Sequence, residues 1–163
     1  MTFAPRTWVV GETVSAALMN QEIRDQLNSM FAAWTTYAPS WTASTNPSLG
    51  NGSLNGRYMK LGRIVIAEVT LFPGSTTTYG SGSWAFSLPV TSAAKSTTSL
   101  VVARMFDTSA SANYCGVGQI GSNDTAARFI APSSGTANVA ASSPFAWAAG
   151  DECRISMVYE SAS

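Results

Sequence analysis

Residues 13 to 34, Thr13-Val-Ser-Ala-Ala-Leu-Met-Asn-Gln-Glu-Ile-Arg-Asp-Gln-Leu-Asn-Ser-Met-Phe-Ala-Ala-Trp34, are the one stretch that reads as a helix, and they separate two unlike parts of the chain. Ser15 is placed to cap the helix by accepting a hydrogen bond from a first-turn N–H, and neither Pro nor Gly follows before Trp34. Asn20, Ile23, Leu27, Met30 and Trp34 recur at spacings of three and four, a narrow apolar seam, while Gln21, Glu22, Arg24, Asp25 and Asn28 mostly take the other faces. A lone helix of this length is marginal in water, so the seam needs cover. Either the helix lies on its own domain or it joins copies of itself in a short parallel bundle. Asn20 at a core-type position fits the second arrangement, because a buried polar group there fixes register and copy number at a cost in stability.

Everything else reads as strand or loop. Residues 1–12 hold Pro5, Trp8, Val9, Val10 and Gly11, an extended apolar arm. Trp8 either folds back on the helix or plugs into a neighbouring protein, as an isolated terminal aromatic often does. After Tyr37, turn chemistry comes quickly at Asn46-Pro47, Asn51-Gly52 and Asn55-Gly56, marking two close hairpins. Residues 62–72 are dense in β-branched residues and predict a long central strand with both faces largely apolar. The stretch 75–83 is small, polar and expected to be flexible. Trp84, Phe86 and Leu88 alternate and should face inward together. Further strands are predicted over 99–107, 112–120, 126–130 and 153–160, with Ile155, Met157 and Tyr159 on one face and a low-complexity loop or edge over 133–143. Seven to nine short strands and almost no helix predict a mainly β protein. The expected architecture is an antiparallel, jelly-roll-like β-sandwich over 37–163, preceded by the arm at 1–12 and the helix at 13–34.

Charge narrows the function. Only 11% of the 163 residues are charged, and nine basic residues balance nine acidic ones, so there is no electrostatic footprint for nucleic acid or an anionic membrane. A neutral, hydroxyl-rich surface lacks the repulsion that keeps small proteins apart and fits a component of an assembly. No apolar run is long enough for a signal peptide or a membrane span, so a soluble product made in a cytoplasm is expected. Cys115 and Cys153 each fall in a predicted strand without a CxxC pair; two buried thiols are expected, with a disulfide as the lesser alternative.

The chain has no histidine, which removes Ser-His-Asp triads, Cys-His pairs and histidine metal sites. Asp151 and Glu152 are adjacent on a strand and point to opposite faces, so they cannot form a glycosidase pair. Glu68 with Asp107 or Asp124 is the one formal catalytic combination. Glu68 lies in the apolar strand, though, and is expected to pair with Arg57, Lys60 or Arg63 instead. No catalytic, cofactor-binding or metal-ligating residue is therefore assigned. Among the rings, Tyr79 sits in the Gly/Ser/Thr loop and is the candidate ligand contact.

Thr7-Trp-Val-Val-Gly-Glu-Thr-Val-Ser-Ala-Ala-Leu-Met-Asn-Gln-Glu-Ile-Arg-Asp-Gln-Leu27 resembles the N-terminal segment of fibre-like structural proteins of tailed bacteriophages: Trp, then Gly-Glu, then a capped helix ending Arg-Asp-x-Leu. The stretches from Tyr37 to Tyr58 and from Thr76 to Pro89 resemble the β-sandwich heads of phage tail and fibre proteins, and the likeness fades beyond residue 90. The resemblance implies a homotrimeric virion protein. Its arm, with Trp8, Val9 and Val10, and its helix would attach to the particle, while the head binds a host-surface glycan or protein. A head-mounted fibre or decoration protein is the variant of this reading; a small glycan-degrading or esterase-like enzyme using Glu68 or Asp107 is the reading from another class.

Overall fold

A computed structural model describes residues 7–132 and 137–162. Residues 1–6 of the arm, 133–136 of the low-complexity loop and Ser163 lie outside the described residues, as do the side chains of Gln26 and Ser29.

The helix is shorter than expected, running from Ala16 to Met30. Ser15 caps it as anticipated, its Oγ accepting from the Leu18 N–H at 3.2 Å. Its middle is not α-helical. Between Ala16–Met19 (α1) and Asp25–Met30 (α2), residues Asn20–Arg24 form a π turn, in which the Asp25 N–H reaches back five residues to the Asn20 carbonyl. The extra residue in that turn shifts the phase of everything after it, which a strict 3-4 seam does not allow for. The helix stops at Phe31, and Thr35–Tyr37 is already strand, so Trp34 lies outside the helix rather than at the end of its seam.

The body is mainly β: β1 (Thr35–Tyr37), β2 (Trp41–Thr42), β3 (Ser53–Leu61), β4 (Ile64–Phe72), β5 (Ala85–Ser87), β6 (Ser99–Asp107), β7 (Ala112–Ile120), β8 (Ala126–Ile130) and β9 (Glu152–Glu160). They form one curled, wholly antiparallel sheet in the order β1-β3-β4-β9-β6-β7-β8-β5-β2. Alternation explains the strands, since buried and outward residues take turns along β4, β6 and β9. Asn55-Gly56 is not a turn. It lies inside β3, where a Cβ on Gly56 would collide with the Tyr37 ring, and the hairpin closes instead at Gly62-Arg63, with Gly62 at φ +59°.

The curl is made at β8. Its first residues pair with β5 (Phe86 with Ala127) and its later ones with β7 (Gly118 with Phe129), so one strand turns the sheet over on itself. Gly118 permits this, because a Cβ there would run into the Arg128 carbonyl and the Phe129 backbone. The concave side then closes on Val65, Val69, Leu71, Val101, Met105 and Met157 from the long strands, and on Trp41, Trp84, Phe86 and Phe129 from the short ones, in one continuous core. Trp84, Phe86, Ile155, Met157 and Tyr159 are buried, as their alternation foretold, whereas Leu88, expected to face inward with Trp84 and Phe86, is half-buried against the core.

Candidate functional site

Three surfaces bear on function: the helix with its arm, the aromatic cluster around Tyr79, and the convex face of the sheet. On the helix, Ile23, Leu27 and Met30 are exposed, together with Met19 and Phe31, the last at 81%. Asn20 is exposed on the π turn. The helix meets the sheet along β3, over a hollow lined by Asp25, Asn28, Ala33, Tyr58, Met59 and Lys60. Trp34 is half-buried at the edge of the convex face, where the Arg57 guanidinium lies 4.8 Å from its ring centre. In the arm, Trp8, Val9 and Val10 are exposed beside a turn in which the Glu12 N–H donates to the Val9 carbonyl at 3.1 Å and Gly11 takes φ +86°. Of the seam, Ile23, Leu27 and Met30 are thus exposed while Trp34 is half-buried.

Tyr79 departs from expectation. Its ring is half-buried, stacked on Trp84 at 6.3 Å and edge-on to Trp41, and its carbonyl accepts the Trp84 indole N–H at 3.2 Å. Burial, and then the negative charge of Asp151, push its hydroxyl above the usual tyrosine range. The loop carrying it is tied down rather than loose: Ser48 and Thr78 exchange backbone hydrogen bonds, Thr77 Oγ1 donates to the Leu49 carbonyl at 2.6 Å, and Asn51 holds Ser75 and Thr76. These bonds come from a segment some thirty residues away, which no local reading of a Gly/Ser/Thr run supplies. Tyr79 is thus part of the wall around Trp41, Trp84 and Trp147.

The carboxylates are engaged structurally. Glu68 pairs with Arg57 at 2.7 Å on the convex face. Asp107 points the other way, accepting from Ser109 Oγ at 2.7 Å and the Ala110 N–H at 3.0 Å, and these bonds hold its carboxyl below the usual range. Since the two project from opposite faces of the sheet, they do not converge on one substrate. Asp124 anchors Thr125, Ala126 and Arg128 around the start of β8. Asp151 is buried and accepts from the Thr108 and Ala148 N–H groups at 2.9 and 2.7 Å. With the Gly150 N–H donating to the Pro73 carbonyl, this joins the loops after β4, β6 and Trp147 into one apex, at the end of the sheet away from the helix.

Cys153 is buried, and burial pushes its thiol up. Cys115, expected to be buried, is exposed: it pairs across β6 with Arg104, on the convex face, whereas Cys153 pairs with Met105 on the concave one. The two thiols therefore face apart and form no disulfide. Among the described residues no three of Cys, Asp and Glu gather as a metal site, and no helix is long and apolar enough to cross a membrane.

The convex face is the surface that sequence reasoning missed. Ile64, Leu100, Val102, Val117, Ile130 and Val158 all stand exposed on it, Leu100 at 68%. They adjoin one another by register: Val102 pairs with Val117, and Val117 with Ile130, while Leu100 lies next to Val158, one position beyond the Val101–Met157 pair. Arg57, Glu68, Arg104, Arg154 and Ser156 line a hollow of about 510 Å³ beside them. Arg104 and Arg154 are direct cross-strand neighbours, and the Glu152 carboxylate, largely buried, takes both. The signal was present in the apolar residues at outward positions of β6, β7, β8 and β9, beside Ile64 of β4.

Compared with protein families, with curated proteins and with solved structures, the chain matches none of them.

Proposed function

We propose that this chain is a non-enzymatic structural protein of a bacteriophage virion, a homotrimeric fibre or receptor-binding protein. Residues 1–12 dock to the particle through Trp8, Val9 and Val10. Residues 13–34 bring three copies together as a short bundle, and 37–163 form a jelly-roll-like head turned toward a host-surface glycan or protein. The observation that carries this reading is the helix, whose apolar residues Ile23, Leu27 and Met30 are left uncovered by a body that seals its own core completely. The resemblance of residues 7–27 to phage fibre segments supports the virion assignment, and the engaged carboxylates favour a binding over a catalytic role. The helix also meets the sheet beside Tyr58, Met59 and Lys60, while the tied loops after β4 and β6 lie at the other end of the strands, as a protein that anchors at one end and presents the other requires.

On this reading the protein needs no cofactor, nucleic acid or membrane insertion, and it reaches the virion from the cytoplasm of its bacterial host. Light scattering coupled to size-exclusion chromatography tests it: three chains of 17.1 kDa give a mass of about 51 kDa. A mass of one chain would overturn the trimer and with it the fibre. A pull-down with the intact protein then locates the particle contact, tail protein marking a tail fibre and capsid protein a head-mounted one.

A further inference from the structure

We infer that the convex face of the sheet is covered by a second copy of this chain, packed against Leu100, Val102, Val117, Ile130 and Val158; this rests on the self-assembly proposed above. Area is the first reason. With Ile64 these residues expose on the order of 100 Å² each, roughly 600 Å² in one patch, the upper end of what a monomer leaves in water. Adding the helix residues Ile23, Leu27 and Met30 brings the surface to the ~800 Å² per partner that a stable interface needs.

Continuity is the second reason. Trp34, at the foot of the helix, sits on Arg57, and Arg57 leads by register through Glu68 and Ser156 to Val102 and Val117. Copies joined through the helix seam are thereby brought to this face.

Charge is the third. The face carries both signs, Arg57 with Glu68 and Arg104 and Arg154 with Glu152, around an aliphatic centre. That pattern suits a copy carrying the same pattern and does not suit a partner of one sign such as nucleic acid or an anionic membrane. An apolar centre with few free charges is also how the interfaces of identical subunits are built.

Cys115 lies on this face, two residues from Val117 and opposite Arg104, and reports on its cover. In the intact protein, maleimide should label Cys115 at least tenfold more slowly than it labels a small free thiol. The double variant Leu100→Glu with Val117→Glu should restore fast labelling and lower the mass in solution. Cys153, labelled only after denaturation, confirms that the variant keeps its fold. Should the variant label at Cys153 without denaturant, the wild-type rate decides alone. A protein of trimer mass whose Cys115 reacts at the free-thiol rate overturns this inference and leaves the proposed fibre standing. A wild type with the mass of one chain overturns both.

Discussion

In β4, which lies between β3 and β9, Val65, Ala67, Val69 and Leu71 are sealed in the core. In the helix, Ile23, Leu27 and Met30, residues of the same chemical type, stand in water. The contrast shows that the chain buries one set of apolar residues within itself and leaves another set exposed. Fully burying an aliphatic side chain contributes about 1.5–3 kcal/mol, and because Ile23, Leu27 and Met30 are about half exposed, each leaves roughly half of that unused. The π turn fits the same contrast. A helix gripped by its own sheet would be held to regular spacing by packing, whereas the stretch Asn20–Arg24 has no buried residue to hold it.

The comparison can be broken most sharply in the body. Trp84→Ala removes a fully buried ring that touches Trp41, Tyr79 and Trp147, and it should cost about 3–5 kcal/mol in urea unfolding. An unchanged midpoint would mean that the cluster is not the core it resembles.

A smaller effect belongs to Tyr159. Its hydroxyl donates to the Val90 carbonyl at 2.7 Å and accepts from the Val90 N–H at 3.3 Å, tying the segment before β6 to β9. Tyr159→Phe should cost about 1 kcal/mol at neutral pH. Burial pushes the hydroxyl up to about 12, with the Val90 bond opposing and Tyr58 adding to the rise. Because the folded value lies above the unfolded one near 10, its contribution is complete below about pH 10 and is lost as pH rises from there toward about 12. Urea midpoints at about pH 9 and about pH 11 should therefore differ more in the wild type than in Tyr159→Phe. Equal differences would remove Tyr159 as the cause.

The smallest effect on the body is expected from the helix. Ile23→Asp with Leu27→Asp should shift the urea midpoint of the dilute, dissociated protein by less than ~0.5 kcal/mol, since neither residue touches the core. The same variant should lose the oligomer mass at working concentration. If it keeps that mass, the seam is not what joins the copies.

Strand positions were legible wherever apolar and polar residues alternate between clear turn residues. The strands at 99–107, 112–120 and 126–130 stand where they were read, and the last begins one residue early, at Glu152. Local chemistry also placed the Ser15 cap and put Arg57, the partner found, among the three candidates for Glu68. Misreadings arose where a distant segment decides. Asn55-Gly56 has turn chemistry, yet it pairs within β3 because Tyr37 and β4 hold it straight. Cys115 sits in an apolar-looking strand, but the register with Arg104 turns it outward. The helix lost Trp34 to the pairing of Thr35 with Tyr58, a strand contact made only once β3 exists.

By itself the sequence determined the class of the protein: a mainly β chain with one capped helix, little charge and no histidine, because propensity, capping and composition act over a few residues at a time. Only the tertiary structure decided that β9, the last strand, lies between β4 and β6, and that β8 curls the sheet. It also decided which face is sealed and which is offered. Strand pairing is a choice among segments far apart in the chain, and in a strand such as β4, apolar on both sides, alternation divides the faces without saying which one meets the core.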